Sequence, residues 1–395
     1  MKALAAVAGL FVLSLITYID RAAISSAKDA IGTGLQLSDA RMGAVFSAFA
    51  LGYALAQIPS GWVADRYGPR LMLTVVVALW SLLTAATGLA ESFATLLAIR
   101  FLFGVAEAGA FPGSARVFYN WLPPSQHGRA NGVIFSASRI GAATAFPVMA
   151  WLLSQQSWRV AFYWLAVPGL VWAACWYALF RDYPANPPQR AEPIEGSSLR
   201  FGDLFRSGRM LLAMAQYFVV NFTTFLCLSW MLPYLKQRYA LSATEAASWA
   251  MTPLLVGATS QWFTGWLVDS LYRSPYKAWS RRLPAMIGFC ISAMGVGSLP
   301  YAAEVRMAVL GFTLAAFGAE MVISPSWAFC MDLGGKKSGA VTGSMNMLGN
   351  LGSFVSANLF PLLQTQTGSA DAYFFLVMGL NVLSAICWVR MKSLS

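Results

Sequence analysis

The 395 residues are 58% hydrophobic and only 11% charged, with a formal net charge of +11. A soluble globular chain carries about 25% charged residues, so a water-soluble body is excluded. The hydrophobic residues fall instead into runs of about 20, the length a helix needs to cross a hydrocarbon core of about 30 Å. The short alternating segments of a transmembrane β-barrel are absent. The positive charge does not mark a nucleic-acid binder, because the basic residues lie between hydrophobic runs rather than on a soluble domain. Cys175, Cys227, Cys290, Cys330 and Cys387 are scattered singly and lack metal-site spacing. The only histidine, His127, falls in a predicted loop, so a catalytic or metal-binding histidine cluster is excluded.

The first run, about 3–24, is too long for a typical signal-peptide core and ends on Tyr18-Ile19-Asp20-Arg21. A charge at mid-bilayer costs roughly 2.5–3.5 kcal/mol on insertion scales, so such residues are read as functional first. Tyr18 and Arg21, three apart, share a helix face, whereas Asp20 points about 100° away from Arg21. Arg21 is expected to face a cavity and Asp20 a neighbouring helix. Eleven further spans are predicted at 40–60, 71–90, 93–117, 129–153, 159–180, 209–234, 243–269, 283–301, 306–330, 337–363 and 370–391. The fold class is therefore an all-α polytopic membrane protein. It has twelve transmembrane helices in two six-helix bundles, 1–180 and 209–395, joined by a polar, proline-bearing cytoplasmic linker at 181–208.

Span 2 ends in Gly61-Trp62-Val63-Ala64-Asp65-Arg66-Tyr67-Gly68-Pro69-Arg70. Gly68 and Pro69 suit a tight loop between two helices. Asp65 is expected to pair with a cation at a neighbouring helix end, such as Arg116, and so to latch the cytoplasmic side in one state. This pattern resembles the signature loop of the major facilitator superfamily. Span 8 ends in an echo, Gly265-Trp266-Leu267-Val268-Asp269, followed by Ser270 in place of the arginine and lacking the later glycine, so a weaker latch is expected there.

In span 4, Arg100 and Glu107 are two turns apart on one face, and an Asp20–Arg100 pair at matched depth is expected. Static ion pairs between helices are the alternative, but buried pairs add little stability once desolvation is counted. Arg139, about ten residues inside span 5, is a third buried cation; the alternative is a snorkelling side chain. Glu320 in span 10 is a third buried acid, and three arginines facing three acids would leave the empty site neutral. Span 10 also echoes span 4: Phe103-Gly104, Glu107 and Pro112 match Phe317-Gly318, Glu320 and Pro325. Two halves with matching landmarks imply a duplicated transporter with its site where the halves meet. Tyr53, Gln57, Tyr217, Asn221, Gln261, Ser324, Trp327, Asn346 and Asn350 add softer polar groups inside spans.

Lysine and arginine favour one side. With the N-terminus inside, Arg66, Arg70, Arg116, Arg129, Arg181, Arg206, Arg273, Lys277, Arg281 and Lys336 fall in the cytoplasm, against Lys28, Arg41, Arg159, Lys236, Arg238 and Arg306 outside. Both termini and the linker are therefore expected to be cytoplasmic.

Tyr18 to Arg21, Arg100 with Glu107 and Phe111-Pro112, the span 2–3 loop, and Ser324 to Trp327 with Gly349-Asn350 together resemble the anion:cation symporter branch of the superfamily. The branch includes hexuronate, hexonate, aldarate and phthalate permeases of bacteria, and the animal sialin and vesicular glutamate carriers. The resemblance covers essentially the whole chain. It implies that Arg21 binds a substrate carboxylate, that Tyr18, Tyr53, Ser324, Trp327 and Asn346 contact the rest, and that Asp20, Arg100 and Glu107 form the proton-coupling set, with Glu320 added here as the third acid. Gly61, Asp65, Arg66, Gly68, Arg70 and Arg116 would form the latch. Ser138-Arg139-Ile140-Gly141 resembles an aldarate-permease-like subgroup, and Arg21 with Arg139 points to a dianion: an aldarate, an aromatic dicarboxylate or a sulfo-carboxylate. The expectation is a monomeric bacterial inner-membrane importer driven by protons, with no cofactor and no metal, acting by alternating access. The alternatives are an exporter of drugs or metabolites of the same superfamily and a membrane sensor without transport. An intramembrane enzyme would need a nucleophile–base set that the chain lacks.

Overall fold

The computed structural model describes residues 3–185, 188 and 207–391. The described residues are helical nearly throughout and contain no strand. With lipid around them, helices satisfy every backbone N–H and C=O internally, which is why long apolar runs take this form.

Span 1 is Ala3–Ser26, span 2 Asp39–Tyr67, span 3 Pro69–Thr87, span 5 His127–Gln155 and span 6 Trp158–Leu179. Span 8 is Ala243–Tyr272, span 10 Val305–Gly334, span 11 Ser338–Thr367 and span 12 Asp371–Arg390. Spans 4, 7 and 9 cover Phe93–Trp121, Gly208–Arg238 and Lys277–Tyr301. Among the described residues, 10 helical stretches are long and apolar enough to cross a membrane; one of them, Val305–Thr367, contains both spans 10 and 11, and span 8 is too polar to be counted. Those two account for the difference from twelve.

Local chemistry sets the helix starts. Ser38, Ser92, Ser157 and Ser242 accept the N–H three residues on, and Ser92–Thr95 and Ser242–Glu245 complete reciprocal capping boxes. Three local features depart from the sequence reading. A short helix, Lys28–Leu35, follows span 1 and ends at Gln36, whose φ is 53°. Span 4 is broken after Glu107 and resumes at Ala110. Pro112 explains the break, since it offers no N–H to the Ala108 carbonyl and its ring crowds that oxygen. Span 7 contains a π-helical segment, Leu226–Trp230, a local widening that often marks functional regions.

The chain divides into two compact units. The first comprises Met1–Pro123, Val133–Glu192 and Gly334–Ser344; the second comprises Pro124–Gly132, Pro193–Leu333 and Met345–Ser395. The start of span 5 thus belongs with the second unit, and the start of span 11 with the first. Most of the linker expected at 181–208 lies outside the described residues. The first unit has an apolar core of Ile24, Ile31, Val45, Leu96, Met149 and Phe162, and the second of Phe222, Leu226, Phe312, Phe360, Tyr373 and Phe374. Leu51, Trp164, Leu255 and Phe354 stand exposed, as hydrocarbon-facing side chains do.

Candidate functional site

The first unit gathers four ionisable side chains from spans 1 and 4. Glu107 is the last residue before the break in span 4 and is fully buried, and Arg21 Nε donates to Glu107 Oε1. The Arg21 guanidinium also lies 4.4 Å from the Tyr53 ring centre, 4.9 Å from that of Tyr18 and 5.4 Å from that of Phe49. An aromatic cradle and one carboxylate therefore hold it, and its side chain keeps 20% exposure. Arg21 and Tyr18 share a face, as helix geometry predicts. Asp20 turns the other way and is 2% exposed.

The expected Asp20–Arg100 salt bridge is not formed. Both Asp20 oxygens lack a hydrogen-bond partner, as does Arg100 Nε. The Arg100 guanidinium instead lies over the rings of Phe103, at 4.2 Å, and Phe49, at 5.2 Å. The cation that closes an ion pair with a span 4 acid is Arg21, because the spiral of span 1 brings it, and not Asp20, toward Glu107.

Arg139 is half-buried in span 5, one helical turn beyond Phe135 on the same face. Phe135 stacks on Phe111 at 5.3 Å, and Phe111 meets Tyr18 edge-on at 6.3 Å. An aromatic ladder thus runs from the foot of Arg139 to the ring that carries Arg21. Among Asp20, Glu107, Arg21, Arg100 and Arg139 the formal sum is three positive against two negative charges, or +1. The neutral balance expected with Glu320 does not hold in this unit, since Glu320 belongs to the other.

In the second unit, Gln261 Nε2 donates to Glu320 Oε2 at 2.6 Å and to the Glu320 backbone carbonyl at 3.1 Å, and Ser324 Oγ donates to Gln261 Oε1 at 3.4 Å. Trp327 Nε1 donates to Tyr217 Oη at 2.8 Å. Ser324 and Trp327 are essentially unexposed in this state. Asn346 is buried, and its backbone carbonyl accepts the amide of Asn350. Gln261, named only as a softer polar group, is the residue that joins Ser324 to Glu320.

The expected latch residues divide in two. Asp65 accepts the N–H groups of Gly339 at 3.0 Å and Ala340 at 2.8 Å, with Arg116 Nε 3.8 Å away. Arg116 in turn donates to the Lys336 and Gly335 carbonyls. The carboxylate thus caps the first turn of span 11, where free N–H groups and the helix dipole favour a negative charge. Gly61 permits the approach, because a Cβ on it or on Gly339 would overlap the other's backbone; that on Gly339 would lie 2.6 Å from the Gly61 carbonyl oxygen. The rest of the motif does different work. Arg66 lies over Trp62 and Tyr67. Gly68, at φ 84°, makes the turn, and the N–H of Arg70 bonds Asp182 while its guanidinium bonds the Tyr177 carbonyl.

The second latch is not the weaker copy expected. Asp269, fully buried, accepts the N–H groups of Gly128 and Arg129, both at 2.9 Å, at the start of span 5. Gly265 and Gly128 repeat the close approach, a Cβ on Gly265 falling 2.7 Å from the Gly128 oxygen. The missing Arg and Gly are not needed, because the partners are backbone amides. His127 is likewise not in an open loop. It opens span 5, is 1% exposed and places Nδ1 3.5 Å from Asp332, which also receives Arg281 Nε at 3.1 Å. No sequence signal marked Arg281, fully buried among loop-edge cations, as part of this network. Alanine at both Asp65 and Asp269 should loosen these helix starts, each lost cap shifting an opening equilibrium roughly 2–30-fold. Faster maleimide labelling of Ser344→Cys from the cytoplasmic side, in a chain without other cysteines, is the expected result.

A family model described as Major Facilitator Superfamily matches residues 10–357. The chain belongs to the major facilitator superfamily. It is 31% identical over 389 residues to a protein named "Probable sulfoacetate transporter SauU" of Cupriavidus necator, covering 94% of this chain and 90% of that one. It is 29% identical to the hexuronate transporter of Bacillus subtilis, covering 96% and 92%. Among solved structures, the human organic anion transporter MFSD10 superposes with a TM-score of 0.76 at 17% identity, covering 98% of this chain and all of that one, which shows the shared fold. The curated relatives are of the anion:cation symporter type that the motifs resemble. The chain is a multi-pass membrane transporter of this superfamily and not an enzyme.

Proposed function

We propose that the protein is a proton-coupled symporter that imports a small organic dianion by alternating access across a bacterial inner membrane, with both termini cytoplasmic. The observation that carries this reading is the buried cluster of Arg21, Glu107, Asp20 and Arg100, which with Arg139 sums to +1. An anion balances that sum, and Arg21, partly exposed in its aromatic cradle, is the cation placed to receive it. While ionised, Glu107 occupies Arg21. Protonation of the acids releases the cations, so proton and anion binding favour each other reciprocally.

Arg139, at the far end of the aromatic ladder, supplies the second cation for a second acidic group. The relatives named for sulfoacetate and for galactarate and glucarate handle compounds with two acidic groups, which supports this finer reading. Arg139→Gln is expected to weaken uptake of a dianion roughly 10–100-fold, the worth of a charge-assisted hydrogen bond, while a monoanionic hexuronate is affected little. Equal loss for both would remove the dianion assignment. The reading as a whole is tested in proteoliposomes offered sulfoacetate, glucarate, galactarate and a hexuronate under an inward-directed proton gradient. Accumulation of at least one is expected, and equal uptake with and without the gradient would reject proton symport.

A further inference from the structure

Span 3 contributes one polar atom to the interior of the first unit that transport, as proposed above, does not use. Trp80 is fully buried and its indole N–H has no hydrogen-bond partner. Buried tryptophan N–H groups usually find one. The group this N–H approaches is the Asp20 carboxylate, neither oxygen of which has a partner either. On the other side of Asp20 lies Arg100, 2% exposed, with Nε in the same condition. Two donors and one acceptor thus converge in a water-poor interior without closing a bond. Most buried polar groups are bonded, and each one left open is costly. An acceptor between a cationic and a neutral donor, held by neither, has the geometry of an exchange point.

The charged groups facing Asp20 are few. Span 4 presents Arg100 and Glu107, and span 3 presents only the Trp80 indole. Arg21, on Asp20's own helix, is turned to Glu107, and Tyr53 of span 2 faces Arg21. We propose that Trp80 is a positioning residue for Asp20, its indole N–H being the neutral donor that holds the ionised carboxylate when Arg100 turns to another partner. The inference rests on the reading of Asp20 as a proton-binding group. A neutral N–H favours the charged carboxylate without adding a charge that would compete with the proton or attract the substrate. It thereby sets the pH at which Asp20 takes its proton.

Trp80→Phe keeps the ring and removes only the N–H. The expected result is that the pH of half-maximal gradient-driven uptake moves upward by about one unit, the worth of one hydrogen bond to a carboxylate. In an Asp20→Asn background the same change should move nothing. A merely structural role lowers uptake at every pH alike and leaves the midpoint in place, and that outcome overturns the proposal. If Trp80→Phe does not reach the membrane, Trp80→Tyr, which fills more of the space and displaces the donor, is read in the same assay, and an unmoved midpoint overturns the proposal equally. Asp20→Asn alone separates the two levels. If it still accumulates substrate on a proton gradient, the reading of Asp20 falls and this inference with it; if it does not, an unmoved Trp80 midpoint removes the role of Trp80 alone.

Discussion

Arg21→Lys is expected to abolish substrate binding, with a loss of at least about 100-fold, although the charge is unchanged. Arg21 gives one N–H to Glu107 while the rest of its planar guanidinium stays against the rings of Tyr18 and Tyr53 and keeps 20% exposure. A carboxylate or sulfonate can meet that plane with two parallel N–H bonds, each charge-assisted and worth about 1.5–3 kcal/mol. A lysine ammonium is a single compact donor that neither presents two parallel N–H groups nor stacks as a plane on the aromatic cradle. The measurement is thermal stabilisation of the purified protein by sulfoacetate and glucarate. The wild type should be stabilised by the ligand that it transports, and the variant should melt at an unshifted temperature with that ligand present. A variant that still responds to the same concentrations would show that Arg21 is not the anion's anchor.

Asp20→Asn should divide transport into its parts. Asparagine has the shape of a protonated aspartate and cannot release a proton. The variant is therefore expected to bind anion and to exchange labelled for unlabelled substrate across a membrane, while its accumulation ratio on an inward proton gradient falls to about unity. The burial of Asp20 makes this a large effect. An ionised carboxylate with no bonded partner in a low-dielectric interior is costly, so its proton has a strong hold on which arrangement of Arg100 and Glu107 is stable. Counterflow and gradient-driven uptake in the same vesicles check it. Loss of both together would make Asp20 a structural residue, and retention of both would move the coupling role to Glu107.

Glu320 shows how far spacing reaches and where it stops. Its five-residue offset from Pro325 matched that of Glu107 from Pro112, which made it the second half's acid. The two environments nonetheless differ, an arginine guanidinium for Glu107 and the Gln261 amide for Glu320. The prolines also act differently: Pro112 breaks span 4, whereas span 10 runs unbroken through Pro325. A repeat preserves positions along a helix, but the partner across the helix–helix contact belongs to another part of the chain and is free to change.

The sequence by itself determined the membrane class, the twelve spans, the duplicated landmarks and the opposite facing of Asp20 and Arg21. Each of these follows from run length, composition or the 100° step of an α-helix, all local properties. Only the tertiary structure decided which buried acid Arg21 meets, that Asp20 and Trp80 come together, and that His127 is packed against Asp332. It also decided that Asp65 and Asp269 are held by backbone amides at 339–340 and 128–129. Main-chain N–H groups carry no residue signature, and the approach that exposes them to a carboxylate exists only when glycines on two distant helices are pressed together. That contact is a property of packing, which no single stretch of the chain records.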